Sequence, residues 1–337
     1  MADREESCFR IVSEDLRCDL NPLGASVRRV RLRGRGGGWM DLALSPACFD
    51  PALPEPSLAG RTVGPCCGRI RGGEILLGGQ RLSLTRNEGN NHLHGGPGGC
   101  AFRLWNGSRV SGSHVRFETL LPDGLDGYPG NRRILADWQV SGSKLSVRYT
   151  AETDRETFMD LTSHVYWDLS GRFDGSALDQ ELEIAAGRVV QNDPGHLPQA
   201  VAAAEGAFGF ARSRSIRETL SAFPDNPQLL IGRGYNNAFL LDPALQPESG
   251  AAAVLYSPAG GVRMILRTNA PALVLYTGGF LSGETRLCTP PGAASPGCAI
   301  ALEAQEVPDA FHLPGFRPPL LQPGDVFTRE ISWSFDC

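Results

Sequence analysis

The 337-residue chain is nearly devoid of lysine: of its 32 basic residues only Lys144 is one. This is a bias of composition, not the mark of a phosphate site. Blocks of like charge are also missing, and the formal net charge is only -5. Together these absences argue against nucleic acid or an anionic membrane surface as the main partner. No apolar run approaches the roughly eighteen residues of a membrane-spanning helix. The opening stretch, MADREESCFRIVSEDLRCDL, is charged from its third residue and lacks the apolar segment of a secretory signal. The cytoplasm is the expected setting. The nine cysteines are scattered, and only Cys66 and Cys67 adjoin. They show neither a CxxC pair nor Cys/His ligand spacing, so they read mostly as small buried hydrophobes with free thiols.

Helical periodicity is scarce as well; IRETLSAF (216–223) is the best short candidate. What the chain has instead is punctuation, with 41 glycines and 25 prolines. Short alternating runs lie between them. VFTREISWSF sets Phe327, Ile331, Trp333 and Phe335 against Thr328, Glu330, Ser332 and Ser334. KLSVRYTAE sets Leu145, Val147 and Tyr149 against Ser146, Arg148 and Thr150, and HVRFETLL and VRMILRTN behave similarly. A period of two bounded by turn signals means half-buried strands. Many such strands with few helices predict an all-β protein, a large antiparallel sandwich or barrel. No repeat or low-complexity linker divides the chain. The Pro-rich segment 45–60 reads as a surface loop, so one domain over 1–337 is expected.

Four stretches carry residues of chemical interest. NEGNNHLHGG (87–96) holds His92 and His94, which would share a face on a strand. Two histidines alone do not make a metal site, and no nearby Cys, Asp or Glu clearly offers a third ligand. A polar turn is the plainer reading. In TFMDLTSHVYWDLSG, His164 stands beside Tyr166 and Trp167, whose flat faces suit a sugar. Glu303 follows the apolar run AIAL, where a carboxylate is costly unless solvated or paired. It is a candidate acid or base with a shifted pKa, or else a strand-end residue reaching water. PDGLDGYPG (122–130) is a loop dense in turn residues.

In order, these segments resemble the aldose 1-epimerases, also called galactose mutarotases. GRTVGPCCGRIRGGEILLGGQRLSLTRNEGNNHLHGG is similar to the family's N-terminal signature, and DGLDGYPG to its Asp-Gly-x-x-Gly-Tyr-Pro-Gly loop. LTSHVYWDLSG, LRTNAPALVLYTGGFL, IALEAQEVPDAFHLPGF and LQPGDVFTREISWSF resemble four further family segments. The likeness spans about residues 20–336. It implies a β-sandwich of the galactose mutarotase kind, a general base at Glu303 and a general acid at His164. It further implies sugar contacts at His94 and Arg69. Other positions depart from the family pattern. Asn236 stands where a sugar-binding aspartate is usual, Gly68 where an asparagine precedes the arginine, and Val274 and Gly279 where a glutamine and an asparagine flank Tyr-Thr-Gly.

The resemblance implies interconversion of the α and β anomers of a free aldohexose such as galactose or glucose. Such ring opening needs one base and one acid across the C1–O5 bond and no metal, nucleotide or redox cofactor. A carboxylate and an imidazolium there are expected to stabilise each other's charge. His94 and Arg69 are expected to hold hydroxyls or the developing oxyanion. Asparagine at 236 predicts weaker sugar binding than aspartate by roughly 1–2 kcal/mol. Two alternatives share the fold. One is an epimerase for another or a phosphorylated sugar, using Arg71, Arg81 and Arg86. The other is a non-catalytic carbohydrate-binding or sensing protein.

Overall fold

The computed structural model describes residues 8–47, 57–246, 248 and 250–337. Most of the Pro-rich segment 45–60, including Cys48, lies outside the described residues. Strand Lys144–Thr153 shows how the sequence pattern becomes a sheet. Leu145, Val147, Tyr149 and Ala151 are buried, while Lys144, Arg148 and Glu152 are exposed. Its neighbours are Arg132–Ser141 and Phe327–Asp336, with Trp138 opposite Val147 and Trp333 opposite Leu145. The Trp138 and Trp333 indoles stack at 6.2 Å.

These strands form the middle of a nine-stranded sheet that runs from Asn106–Ser111 at one edge to Arg214–Ser215 at the other. A six-stranded sheet has the order Tyr166–Trp167, Ile300–Gln305, Ala272–Tyr276, Asn236–Leu241, Ala186–Asn192, Pro198–Ala203. Pairing is antiparallel throughout both. A four-stranded sheet from Phe9–Val12 to Trp39–Asp41 completes the N-terminal part. One buried cluster joins the layers: Phe117, Trp138 and Trp333 from the large sheet, Trp167, Phe239 and Leu302 from the smaller, Leu20 and Val30 from the N-terminal one. Each such side chain stabilises the fold by roughly 1.5–3 kcal/mol. The all-β sandwich read from the sequence is the architecture observed.

Strand Ile300–Gln305 is buried on both faces. Ile300, Leu302 and Ala304 point into the main core, so Ala301, Glu303 and Gln305 point the other way. The six-stranded sheet thereby has a second, largely covered face, and the site lies there. Of the helices, Ile216–Ala222 is the expected one, its Ser215 side chain accepting from the Glu218 N–H. Pro227–Gly232, capped by Asn226, has no counterpart in the sequence reading. Among the described residues no helix is long and apolar enough to cross a membrane.

Candidate active site

The outward face of the six-stranded sheet floors a cavity of about 640 Å³. Register sets its rows. Glu303 lies opposite Val274, which lies opposite Ala238. The next row runs Tyr166, Ala301, Tyr276, Asn236. Glu303 is thus the fourth residue of a six-residue strand and only 4% exposed. It does not reach water at a strand end, as one reading of the sequence allowed. Its lateral neighbour Val274 is apolar and gives it no hydrogen bond.

His164 comes from the short pair Thr162–Ser163 with Thr62–Val63. Its backbone is held on both sides: its N–H donates to the Arg61 carbonyl and its carbonyl accepts from Gly60. The imidazole stacks on Tyr166 at 4.7 Å. Its Nε2 lies 3.6 Å from Glu303 Oε1. Glu303 Oε2 and His164 Nδ1 are buried without a hydrogen-bond partner. Burial pushes the Glu303 carboxyl up to about 8, aided by the negative charge of Asp160 and opposed by Arg69. Burial pushes the His164 imidazole down to about 4. Burial is the first cause of both shifts, so each group is driven toward its neutral form and away from the expected ion pair. Between those values the pair holds one proton and no net charge. The ionised tautomer differs from the neutral one only in having the proton on His164 in place of Glu303.

Arg69 and His94 arrive together, because Arg69–Ile70 pairs with His92–Leu93. His94 has a left-handed backbone (φ 53°), and Gly95 follows at φ 82°. A Cβ on Gly95 would lie 2.1 Å from the Gly64 carbonyl oxygen, so only glycine fits that approach. His94 Nδ1 is 2.5 Å from the Cys67 carbonyl, which can only accept. Burial, followed by His164 and Arg69, lowers its pKa to about 3. His94 is therefore neutral with Nε2 unprotonated. That nitrogen is left as a neutral acceptor toward the cavity.

His92 turns away from the cavity. Its Nδ1 donates to Thr85 O and its Nε2 accepts from Tyr128 OH, both at 2.7 Å. Tyr128 belongs to the 122–130 loop, whose Asp126 also accepts from the Gly98 N–H. That loop therefore buttresses the histidine turn from behind. Asn87 and Asn91 bond to the backbone at Leu93 and Gly72. Among the described residues no three of His, Cys, Asp and Glu form a metal-ligand group.

Two features of the cavity escaped the sequence reading, the first at Arg69. Its Nε and Nη2 both bond to Glu88 at 2.6 Å, and Glu88 lines the cavity with it. The only signal was the Glu in NEGNNHLHGG, which reads as a turn residue. Phe280, Tyr276 and His196 also reach the cavity, with the Phe280 ring stacked on Tyr276 and met edge-on by His196. Trp167 does not reach it: the ring lies in the main core against Trp333, on the opposite face from Tyr166.

The departures from the family pattern have local reasons in two cases. A Cβ on Gly68 would lie 3.0 Å from Pro308 Cβ, and one on Gly279 would lie 2.3 Å from the Arg233 carbonyl oxygen. An asparagine is tight at the first position and blocked at the second. Asn236 and Val274 both line the cavity. The arginines considered for a phosphate do not: Arg71 pairs with Asp193, and Arg81 and Arg86 with Glu74.

The family model described as aldose 1-epimerase matches residues 7–334. The galactose mutarotase of Sus scrofa is 30% identical over 330 residues, covering 97% of this chain and 93% of that protein. The structure of galactose 1-epimerase from Lactobacillus acidophilus NCFM superposes with a TM-score of 0.82 at 27% identity, over 100% of this chain and 96% of that one. An aldose epimerase homologue from C. elegans shares the fold at 23% identity, with a TM-score of 0.86 over 98% of each chain.

Proposed function

The chain belongs to the aldose 1-epimerase family, and from that premise we propose that this isomerase interconverts the anomers of a free aldohexose with Glu303 and His164 as its acid–base pair. The observation that carries the assignment is their 3.6 Å apposition, buried, in the wall of a cavity large enough for a sugar. Starting from the ionised tautomer, Glu303 takes the O1 proton as His164 gives one to O5, and the C1–O5 bond breaks. The open-chain aldehyde then faces a neutral pair, the tautomer that burial favours. After rotation about C1–C2, O5 attacks the other face of C1. Its proton returns to His164 and Glu303 protonates the aldehyde oxygen. Every proton is recovered and no co-reactant is consumed.

Around this pair, His94 accepts a sugar hydroxyl through Nε2. Arg69 offers the donors that Glu88 leaves free, and Asn236 supplies a neutral acceptor in the Tyr276 row. Tyr166 presents an aromatic face. The proposal takes residues 1–337 as one functional domain. It places the reaction in the cytoplasm, in keeping with the free thiols of all eight described cysteines. Glu303→Gln and His164→Ala test the pair. Each is expected to lower kcat on galactose or glucose by about 10²–10⁴ with the fold intact. Either variant retaining more than about a tenth of kcat rejects its assigned role.

A further inference from the structure

The inward face of strand Phe327–Asp336 carries one charge, Arg329, which is 2% exposed. Its Nη2 lies 3.3 Å from Asp160 Oδ1 and 2.5 Å from Glu306 Oε1. Asp160 is 3% exposed, and its Oδ2 accepts from the Glu306 backbone N–H at 3.1 Å. The Asp160 N–H donates to the Pro65 carbonyl at 2.8 Å. Through its carboxylate and its backbone N–H, one residue thus ties together three segments that build the site. Asp160 leads into His164, Glu306 follows Glu303 on the same strand exit, and Pro65 leads into Cys67, whose carbonyl holds His94. One arginine also serves two carboxylates, so a negative charge stays uncompensated behind the cavity.

We propose that Asp160, held by Arg329 and Glu306, is a positioning residue for Glu303: it fixes the end of the Glu303 strand against the His164 segment and lays a negative charge behind the Glu303 carboxyl. The inference rests on Glu303 and His164 being the acid–base pair. The charged or titratable groups around Asp160 are Arg329, Glu306, Cys67 and Cys66. Those around Glu303 are His164, Arg69, Tyr276 and Asp160 itself. Asp160 titrates near 6, raised by burial and restrained by Arg329. It is therefore ionised where Glu303 loses its proton, and its field holds that proton on.

The test is the pH profile of kcat/KM for galactose anomer exchange in Asp160→Asn and Glu306→Gln. Asparagine keeps an acceptor for the Glu306 N–H and removes the charge. Its alkaline limb is expected to move to lower pH by roughly 0.5–1 unit, the scale of one charge beyond contact distance at an effective dielectric near 20. Glu306→Gln removes a second negative charge and leaves Arg329 to Asp160 alone, so its limb moves the same way by less. Glu306 is 23% exposed at the side chain, so this variant decides the matter if Asp160→Asn does not fold. A limb that stays in place or moves to higher pH, in a variant that melts cooperatively, overturns the proposal and reduces Asp160 to packing. Activity surviving in Glu303→Gln instead overturns the acid–base pair itself.

Discussion

Replacing Glu303 by glutamine keeps the side chain's volume and removes only its capacity to ionise. In the fold this carboxyl is 4% exposed and titrates near 8 instead of its ordinary 4.5. A folded value above the unfolded one means that the fold penalises the ionised form. The penalty is absent below pH 4.5, grows as the pH rises, and is complete above about 8. At about 1.4 kcal/mol per unit, the span from 4.5 to about 8 sets a ceiling near 5 kcal/mol. The Arg69 charge already moderates that value, and a difference of a few kcal/mol at pH 8 is expected. Glu303→Gln should therefore be the more stable protein at pH 8, with an advantage that shrinks steadily toward pH 5. The His164 contribution runs the other way, being complete above 6.5 and lost as the pH falls through about 4. It is common to both proteins and cancels to first order. Urea denaturation followed by tryptophan fluorescence at pH 5, 6, 7 and 8 gives the difference by linear extrapolation. A difference flat in pH, or a less stable variant at pH 8, would refute the claim that an ionised Glu303 is held against the fold's preference.

Further outcomes follow from the same geometry. The kcat/KM profile should plateau between about 4 and about 8, because below it both groups are protonated and above it neither is; a single-limbed profile contradicts this. Asn236→Asp should lower KM for a standard hexose by roughly 5–30-fold, the equivalent of 1–2 kcal/mol, and steady-state polarimetry showing an unchanged or raised KM removes the argument. Val274→Gln sets an amide directly across the strand from Glu303. Hydrogen bonding to the ionised form should shift the alkaline limb to lower pH, and an upward shift would contradict the apolar origin of the raised value.

Much of the fold was legible because alternation survives folding. The runs at 114–121, 144–152, 262–268 and 327–335 all became strands with the expected faces toward the core. Legibility failed where tertiary partners override a local pattern. Arg329 sits among Phe327, Ile331 and Trp333 on the inward face, and the pattern alone gives no hint that Asp160 and Glu306 wait there. The apolar run before Glu303 was visible, but only the strand's two buried faces show that the carboxylate is in mid-strand. The two histidines of NEGNNHLHGG were inseparable by spacing. The left-handed backbone at His94 divides them, sending one ring to the cavity and the other to Tyr128. The Arg69–Glu88 clamp joins residues nineteen apart through a two-stranded pairing too short to show in the sequence. Departures at Gly68 and Gly279 were visible as substitutions, and their reasons, Pro308 and the Arg233 carbonyl, were not.

The most direct measurement is polarimetry of freshly dissolved α-D-galactose and α-D-glucose, with and without the purified protein, and with Glu303→Gln as control. The account predicts that the native chain speeds the approach to the same final rotation and that the variant does not, while both bind sugar. Binding by the native chain with equilibration no faster than in buffer would contradict it and leave a sugar-binding protein built on the epimerase fold.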